Sequence, residues 1–198
     1  MTKMIDSAIT TYMQKNSNTQ PKTVKLQARQ QCYHIDRIEQ LDKRNDIKIR
    51  GLATENDEDL PQKVVDLAKE INVTINKDDF ICYRTGRSDN ANRPVLVKLN
   101  DQRRKVEIMR AKKNLGSGKY IDEDLTRLRS KLYFEVRHDA NTTKYWTIDG
   151  KIYAMVKPSG GGEPTKTCFQ TPDDLAILGW DEGRVEDFMN SLNSLNSA

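Results

Sequence analysis

Apolar and polar positions recur along this chain in two rhythms, and the changes of rhythm mark its elements. Met1, Met4, Ile5, Ala8, Ile9, Tyr12 and Met13 return at helical spacing and predict an amphipathic helix, which residues 16–21 break. A second helical pattern covers residues 22–43, where Val24, Ala28, Ile35 and Ile38 share a heptad seam with Gln31 and Asp42. That stripe fits a short coiled coil or a helix packed on its own domain. Its place ahead of a complete domain favours self-association. Ile47 and Ile49 then alternate strictly with Lys48 and Arg50, the period of a half-buried strand. Val64, Leu67, Ala68 and Ile71 predict a helix with Pro61 near its start, where proline is tolerated. Strands follow over residues 80–85 and 93–99, then a helix over 102–115 that turns Val106, Met109 and Leu115 to a core, then a short strand at 119–121. The order β-α-β-β-α-β is the ferredoxin-like arrangement used by RNA-recognition motifs.

Beyond that block, Thr126 can cap a helix carrying Leu128, Leu132, Phe134 or Val136 and ending near Asn141. Two β-branched and aromatic runs, residues 145–148 and 151–156, flank Asp149-Gly150, a pair that tolerates the positive φ angles of a tight hairpin. Ser159-Gly160-Gly161-Gly162 reads as a flexible loop and lacks the Gly-Lys-Ser/Thr ending of a phosphate-binding loop. Thr171-Pro172-Asp173-Asp174 opens a short helix, and the Ser/Asn-rich residues 190–198 read as frayed. The expected fold class is α+β. It comprises an N-terminal helical, candidate coiled-coil segment (residues 1–45), a ferredoxin-like RNA-recognition-type domain (46–122), a small C-terminal α/β domain with a β-hairpin (123–180), and a short helix and tail (181–198).

Charge adds a functional direction. The chain of 198 residues is 31% charged and 36% hydrophobic, so its core is thin, and a net charge of +4 matters less than local clustering. Arg103, Arg104, Lys105, Arg110, Lys112 and Lys113 crowd the helix over 102–115, with Glu107 as the acid among them. Cations at that density repel one another unless a polyanion neutralises them. Lys48, Arg50, Arg84 and Lys98 are expected on the open face of the adjoining sheet, which would extend the row of phosphate partners. RNA-recognition motifs carry stacking rings on their first and third strands, but here those places hold Lys48 or Arg50 and Leu96 or Lys98. Affinity is therefore expected from phosphate contacts, with little sequence preference. Tyr83, Tyr145, Trp146 and Tyr153 read mainly as packing rings.

Other chemistries find little support. His34 and His138 lie in different segments and outside any triad or metal-ligand pattern. Asp57-Glu58-Asp59 and Asp122-Glu123-Asp124 read as helix-entry charges that complement the helix dipole. Cys32, Cys82 and Cys168 are far apart without C-x-x-C spacing, which suggests free thiols rather than a disulfide framework or zinc site. No apolar run approaches the roughly 18–20 residues that span a bilayer, and residues 1–16 lack a signal-peptide core. The expectation is a protein without enzymatic activity, cofactor, metal or membrane partner, inside the cell in cytoplasm, nucleus or both.

A family resemblance sharpens this. Leu41-Asp42-Lys43-Arg44-Asn45 followed by Ile47-Lys48-Ile49-Arg50-Gly51 resembles the opening of first-reading-frame proteins of LINE-type retrotransposons, shared with the few-polyhedra proteins of baculoviruses. Tyr83-Arg84-Thr85-Gly86-Arg87, Arg93-Pro94-Val95, Tyr120-Ile121-Asp122-Glu123, Trp146-Thr147-Ile148-Asp149-Gly150 and Thr171-Pro172-Asp173-Asp174 follow in the family's order, so the likeness covers roughly residues 36–178. It implies a coiled coil, an RNA-recognition-like domain and a small C-terminal domain that together grip single-stranded nucleic acid, RNA ahead of DNA. In the retrotransposon branch it implies a trimer that packages RNA and anneals strands; a dimer is the other assembly considered. By motif position, Arg44, Arg50, Arg84, Arg87 and the basic helix would contact phosphate, with Arg127, Arg129 and Arg137 as a second wall. The few-polyhedra branch suggests the alternative, a structural or viral assembly factor acting through protein contacts.

Overall fold

The computed structural model describes residues 22–86, 93–158 and 160–194. The helix expected around Met1–Met13 and the candidate Arg87 lie outside the described residues. The chain divides into two compact units, residues 1–38 and 39–198.

In the first unit the described residues form one helix, α1, which spans Lys22–Asp42 and so ends inside the second unit. Val24, Ala28, Ile35 and Ile38 all stand exposed on it, as does Leu26.

The second unit is mixed α+β with two antiparallel sheets. The first sheet is built from β1 (Asp46–Arg50), β2 (Phe80–Arg84), β3 (Val95–Leu99) and β4 (Tyr120–Glu123), in the order β2-β3-β1-β4. Helix α2 (Leu60–Glu70) joins β1 to β2, and α3 (Gln102–Ala111) joins β3 to β4. The alternation in β1 is borne out: Ile47 and Ile49 are buried with Val64, Leu67, Ala68, Ile71, Val95, Val97, Ile108 and Ile121 in one core. Burying each Val, Leu or Ile side chain among them is worth about 1.5–3 kcal/mol. Asp59 caps α2 by accepting from Gln62 N at 3.0 Å, and Asp101 caps α3 by accepting from Arg103 N at 2.8 Å. After β1 the chain turns at Gly51 with φ +87°, where a Cβ would meet the Gly118 carbonyl oxygen at 1.9 Å, so only glycine fits.

The second sheet has the order β5-β6-β7, from Thr142–Ile148, Lys151–Val156 and Thr165–Phe169. The Asp149-Gly150 turn forms as expected, with φ +52° and +71°, and pairs Ile148 with Lys151. Helix α4 (Arg127–His138), capped by Thr126, buries Leu128, Leu132 and Val136 and ends three residues before the expected Asn141. Strand β7 was not anticipated; of its five residues only Phe169 is buried. Pro172–Leu178 is a 3-10 helix, and α5 runs over Glu182–Ser194, so residues 190–194 are helical where a frayed tail was expected. No helix among the described residues is long and apolar enough to cross a membrane.

Arg84 overturns one expectation. Strand β2 carries Phe80, Cys82 and Arg84 toward the core, and leaves Ile81 and Tyr83 on the open face. The Arg84 side chain is 5% exposed and all its guanidinium nitrogens are occupied. Nε and Nη2 donate to the Glu58 carboxylate at 2.8 and 2.7 Å, while Nη1 and Nη2 reach the carbonyls of Leu52, Arg93 and Ala53. Arg84 thus ties the segment entering α2 to the sheet and has no donor left for phosphate. Its hydrogen bonds hold the Glu58 carboxyl at a pKa of about 2, against an ordinary 4.5. A carboxyl held low adds stability that is complete above its ordinary pKa and is lost as pH falls toward the folded value. Arg84→Met is expected to cost about 1–3 kcal/mol in urea unfolding, because it leaves the half-buried Glu58 carboxylate with Lys63 alone, at 3.0 Å, and removes the donor to three backbone carbonyls. Wild-type stability should fall between pH 4.5 and about 2, and Glu58→Gln should flatten that fall; an unchanged profile in Glu58→Gln contradicts the clamp.

Candidate nucleic-acid interface

The open face of the first sheet collects Lys48 and Arg50 from β1, Leu96 and Lys98 from β3, Ile81 and Tyr83 from β2, and Tyr120 and Asp122 from β4, as the cross-strand register requires. Its cations are spoken for. Lys48 meets Asp124 at 2.8 Å, Arg50 is paired with Asp122, and Lys98 lies 3.8 Å from Asp46. Asp124 also holds Lys43 at 2.5 Å. Burial raises the Asp124 carboxyl, yet the two lysines outweigh it and its pKa is lowered. Four basic groups, Lys43 among them, share three carboxylates, which leaves a face with little net field, not the row of phosphate partners expected. Tyr83, expected to be packed, is exposed there instead, and Tyr120 is exposed on the other edge strand.

The basic helix is divided in a similar way. Lys105 does not join the solvent surface: its Nζ lies 2.8 Å from Glu123, with both side chains 3% exposed, and donates to the Arg44 carbonyl at 2.6 Å. Glu123 accepts as well from Asp149 N at 2.9 Å and Gly150 N at 3.1 Å. Burial raises the Glu123 carboxyl, but Lys105 and these N–H groups prevail and its pKa is lowered. Arg104 is paired with Glu107 at 2.8 Å. Arg129, expected in a second phosphate wall, is buried and donates to the Gly150 carbonyl at 2.8 Å, so it braces the hairpin turn instead. The acidic triplets are thus partners of specific cations as well as helix-entry charges.

What remains is a smaller set. Arg44, Arg103, Arg110 and Lys113 are exposed and have no ion pair among the described residues. Lys112 gives one hydrogen bond to the Ile121 carbonyl at 3.0 Å and has no ion pair among the described residues. Arg137 is exposed, its guanidinium 5.4 Å from the centre of the Tyr145 ring. Arg127, exposed on the first turn of α4, is engaged in an interaction of its own and stands outside this set.

Several of these surround one cleft of about 640 Å³. One wall is α3 and the turn after it, with Val106, Met109, Arg110 and Lys112; its floor includes Asp122 and Glu123; the other wall is Tyr133 of α4 and the edge strand β5 with the hairpin turn, residues 145–149. Tyr133 and Tyr145 meet edge to face at 5.7 Å, and Arg137 covers Tyr145. Burial raises the Tyr133 hydroxyl pKa, so this ring stays neutral at physiological pH. Cations on one wall, rings on the other and unpaired charge at the rim can hold a flexible polyanion bearing flat groups. The sequence reading had neither tyrosine in a site. Tyr133 sits one position off the buried stripe Leu128, Leu132 and Val136, which is the signal that could have placed it at the edge of the helix interface.

Comparison with protein-family models finds no match for this chain, and comparison with curated proteins finds none.

The walls of the cleft are fixed by Lys105 and Glu123. Lys105→Met leaves a buried carboxylate without its cation, at an expected cost of about 3–5 kcal/mol. Adding Glu123→Gln should recover part of it, so a double-mutant cycle by urea unfolding is expected to give a clear coupling energy. Additive losses contradict the pairing.

Proposed function

We propose that the chain is a non-enzymatic protein that binds single-stranded nucleic acid, RNA ahead of DNA, in the cleft between α3 and β5 and with little regard to sequence. One observation carries the reading: Arg110, Lys112 and Arg137 form no ion pair among the described residues and stand at a cleft that also offers Tyr133 and Tyr145. Phosphates draw such cations because contact releases counterions, and the rings accept any base because every base has a π-face. The β-α-β-β-α-β order with strands arranged β2-β3-β1-β4 supports a ferredoxin-like, RNA-recognition-type domain. It goes with the proposed kinship to retrotransposon first-reading-frame and few-polyhedra proteins, and with a packaging or strand-annealing role.

A second reading, an assembly factor working through protein contacts, draws on a different observation. Val24, Ile35 and Ile38 of α1 are 43%, 55% and 48% exposed, the seam expected of a helix that pairs with copies of itself. The two readings are compatible in one homo-oligomer.

Salt dependence separates a defined groove from diffuse attraction. In anisotropy titrations with a labelled oligonucleotide, Arg110→Ala and Lys112→Ala are each expected to flatten the plot of log affinity against log salt by up to about one unit. Arg50→Ala, whose side chain is paired with Asp122, should change the slope less. Equal changes at Arg50 and Arg110 contradict the cleft, and absence of binding at low salt contradicts the function. For the seam, light scattering is expected to give a dimer or trimer that Ile35→Asp with Ile38→Asp dissociates; a wild-type monomer ends that proposal.

A further inference from the structure

The three-stranded sheet covers only one of its faces. Ile152, Ala154, Val156 and Phe169 are buried on the side shared with Tyr145 and Thr147, by the register of β5, β6 and β7. The opposite face bears Trp146, Tyr153 and Cys168 in one cross-strand row, and Lys144, Met155 and Lys166 in the next. Trp146 and Tyr153, expected to be packing rings, are half-buried and lie nearly parallel, 14° apart with centres at 5.8 Å. The Lys166 ammonium stands 4.8 Å from the Tyr153 ring centre and 5.8 Å from that of Trp146. Lys144, Lys151 and Lys166 are exposed and have no ion pair among the described residues. Against them stands Asp149 of the hairpin turn, whose charge reaches Tyr153.

We infer that this outer face is a second contact surface for the same single strand, with bases stacking at Trp146 and Tyr153 and phosphates held by Lys144, Lys151 and Lys166. The inference rests on the proposed function and deepens it. Two features choose this occupant. A pair of rings beside uncompensated ammonium groups matches the alternation of flat base and phosphate along a single strand. And β5 is an edge strand whose successive residues alternate between faces: Tyr145 shares the inner face with Ala154, while Trp146, which also lines the cleft along this edge, pairs with Tyr153 and Cys168 on the outer face. A strand leaving the cleft over the β5 edge meets Trp146 next.

The chain has two tryptophans, so Trp180→Phe leaves Trp146 as its sole indole reporter. Full-length Trp180→Phe protein is titrated with an oligothymidylate and with an abasic phosphodiester of equal length, following indole emission and the anisotropy of a terminal label together. The expected result is quenching by the oligothymidylate at the midpoint of its anisotropy change, with much weaker quenching by the abasic strand. Trp146→Leu, in the wild-type background and checked by circular dichroism, should weaken oligothymidylate binding about 5- to 100-fold and leave abasic binding nearly unchanged. Lys166→Gln should flatten the salt slope by up to about one unit. Anisotropy binding without quenching overturns the platform and leaves the cleft reading standing, as does equal weakening of both ligands by Trp146→Leu. No anisotropy change with either ligand at low salt overturns both.

Discussion

The second unit depends on a buried ion pair. Lys105 and Glu123 are almost fully removed from water, and each is held by backbone as well: the ammonium by the Arg44 carbonyl, the carboxylate by the N–H groups of Asp149 and Gly150. Burying opposite charges is favourable only when geometry and further hydrogen bonds offset their lost hydration, and here both do. The pair binds α3 to β4, and the carboxylate carries that link on to the hairpin turn. Gln40 tightens the same region, donating to the Asp124 carbonyl at 3.0 Å and accepting from Thr126 N at 2.9 Å. Gly150 is required beneath it, since a Cβ there would fall 2.5 Å from the Gln40 side chain. The opposed walls of the cleft follow from these contacts.

Neutralisation then decides where a polyanion is drawn. The chain is rich in both signs of charge, and many basic side chains that look available in sequence are cancelled locally. The first sheet's open face is balanced by Asp46, Asp122 and Asp124, and Arg84 is consumed by Glu58. Exposed ion pairs are each worth little, about 0–1 kcal/mol, but their cancelled fields remove the long-range attraction that steers an anion. The cations left without acids gather along α3, beside the cleft and on the outer face of the second sheet. The proposed function rests on this residue of uncancelled charge, not on the modest net charge.

The elements legible in sequence were those with an unambiguous period or turn. Strand β1 alternates without exception, Asp149-Gly150 admits one tight turn, and Asp59, Asp101 and Thr126 each cap the helix that follows. Strand β2 was ambiguous because Phe80, Ile81, Cys82 and Tyr83 are apolar on both faces, so nothing local said which way Arg84 would turn. Strand β7 is polar along most of its length and forms because β6 offers it an edge. The fate of Lys105, Arg129 and Arg84 was illegible for a shared reason: each is fixed by a partner between 18 and 26 residues away, and pairing at that range is a property of the fold. The cleft combines residues from α3, α4 and β5, so only its basic half could be read along the chain.

Photocrosslinking tests the central claim most directly, because tyrosines mark two separate places on the molecule. Tyr133 and Tyr145 line the cleft, while Tyr83 and Tyr120 stand on the neutralised sheet face. An oligonucleotide substituted with 5-iodouracil, irradiated in complex with the protein and mapped by mass spectrometry, is expected to attach to Tyr133 or Tyr145. Attachment concentrated on Tyr83 and Tyr120 would show that the strand lies on the sheet face and would contradict the account.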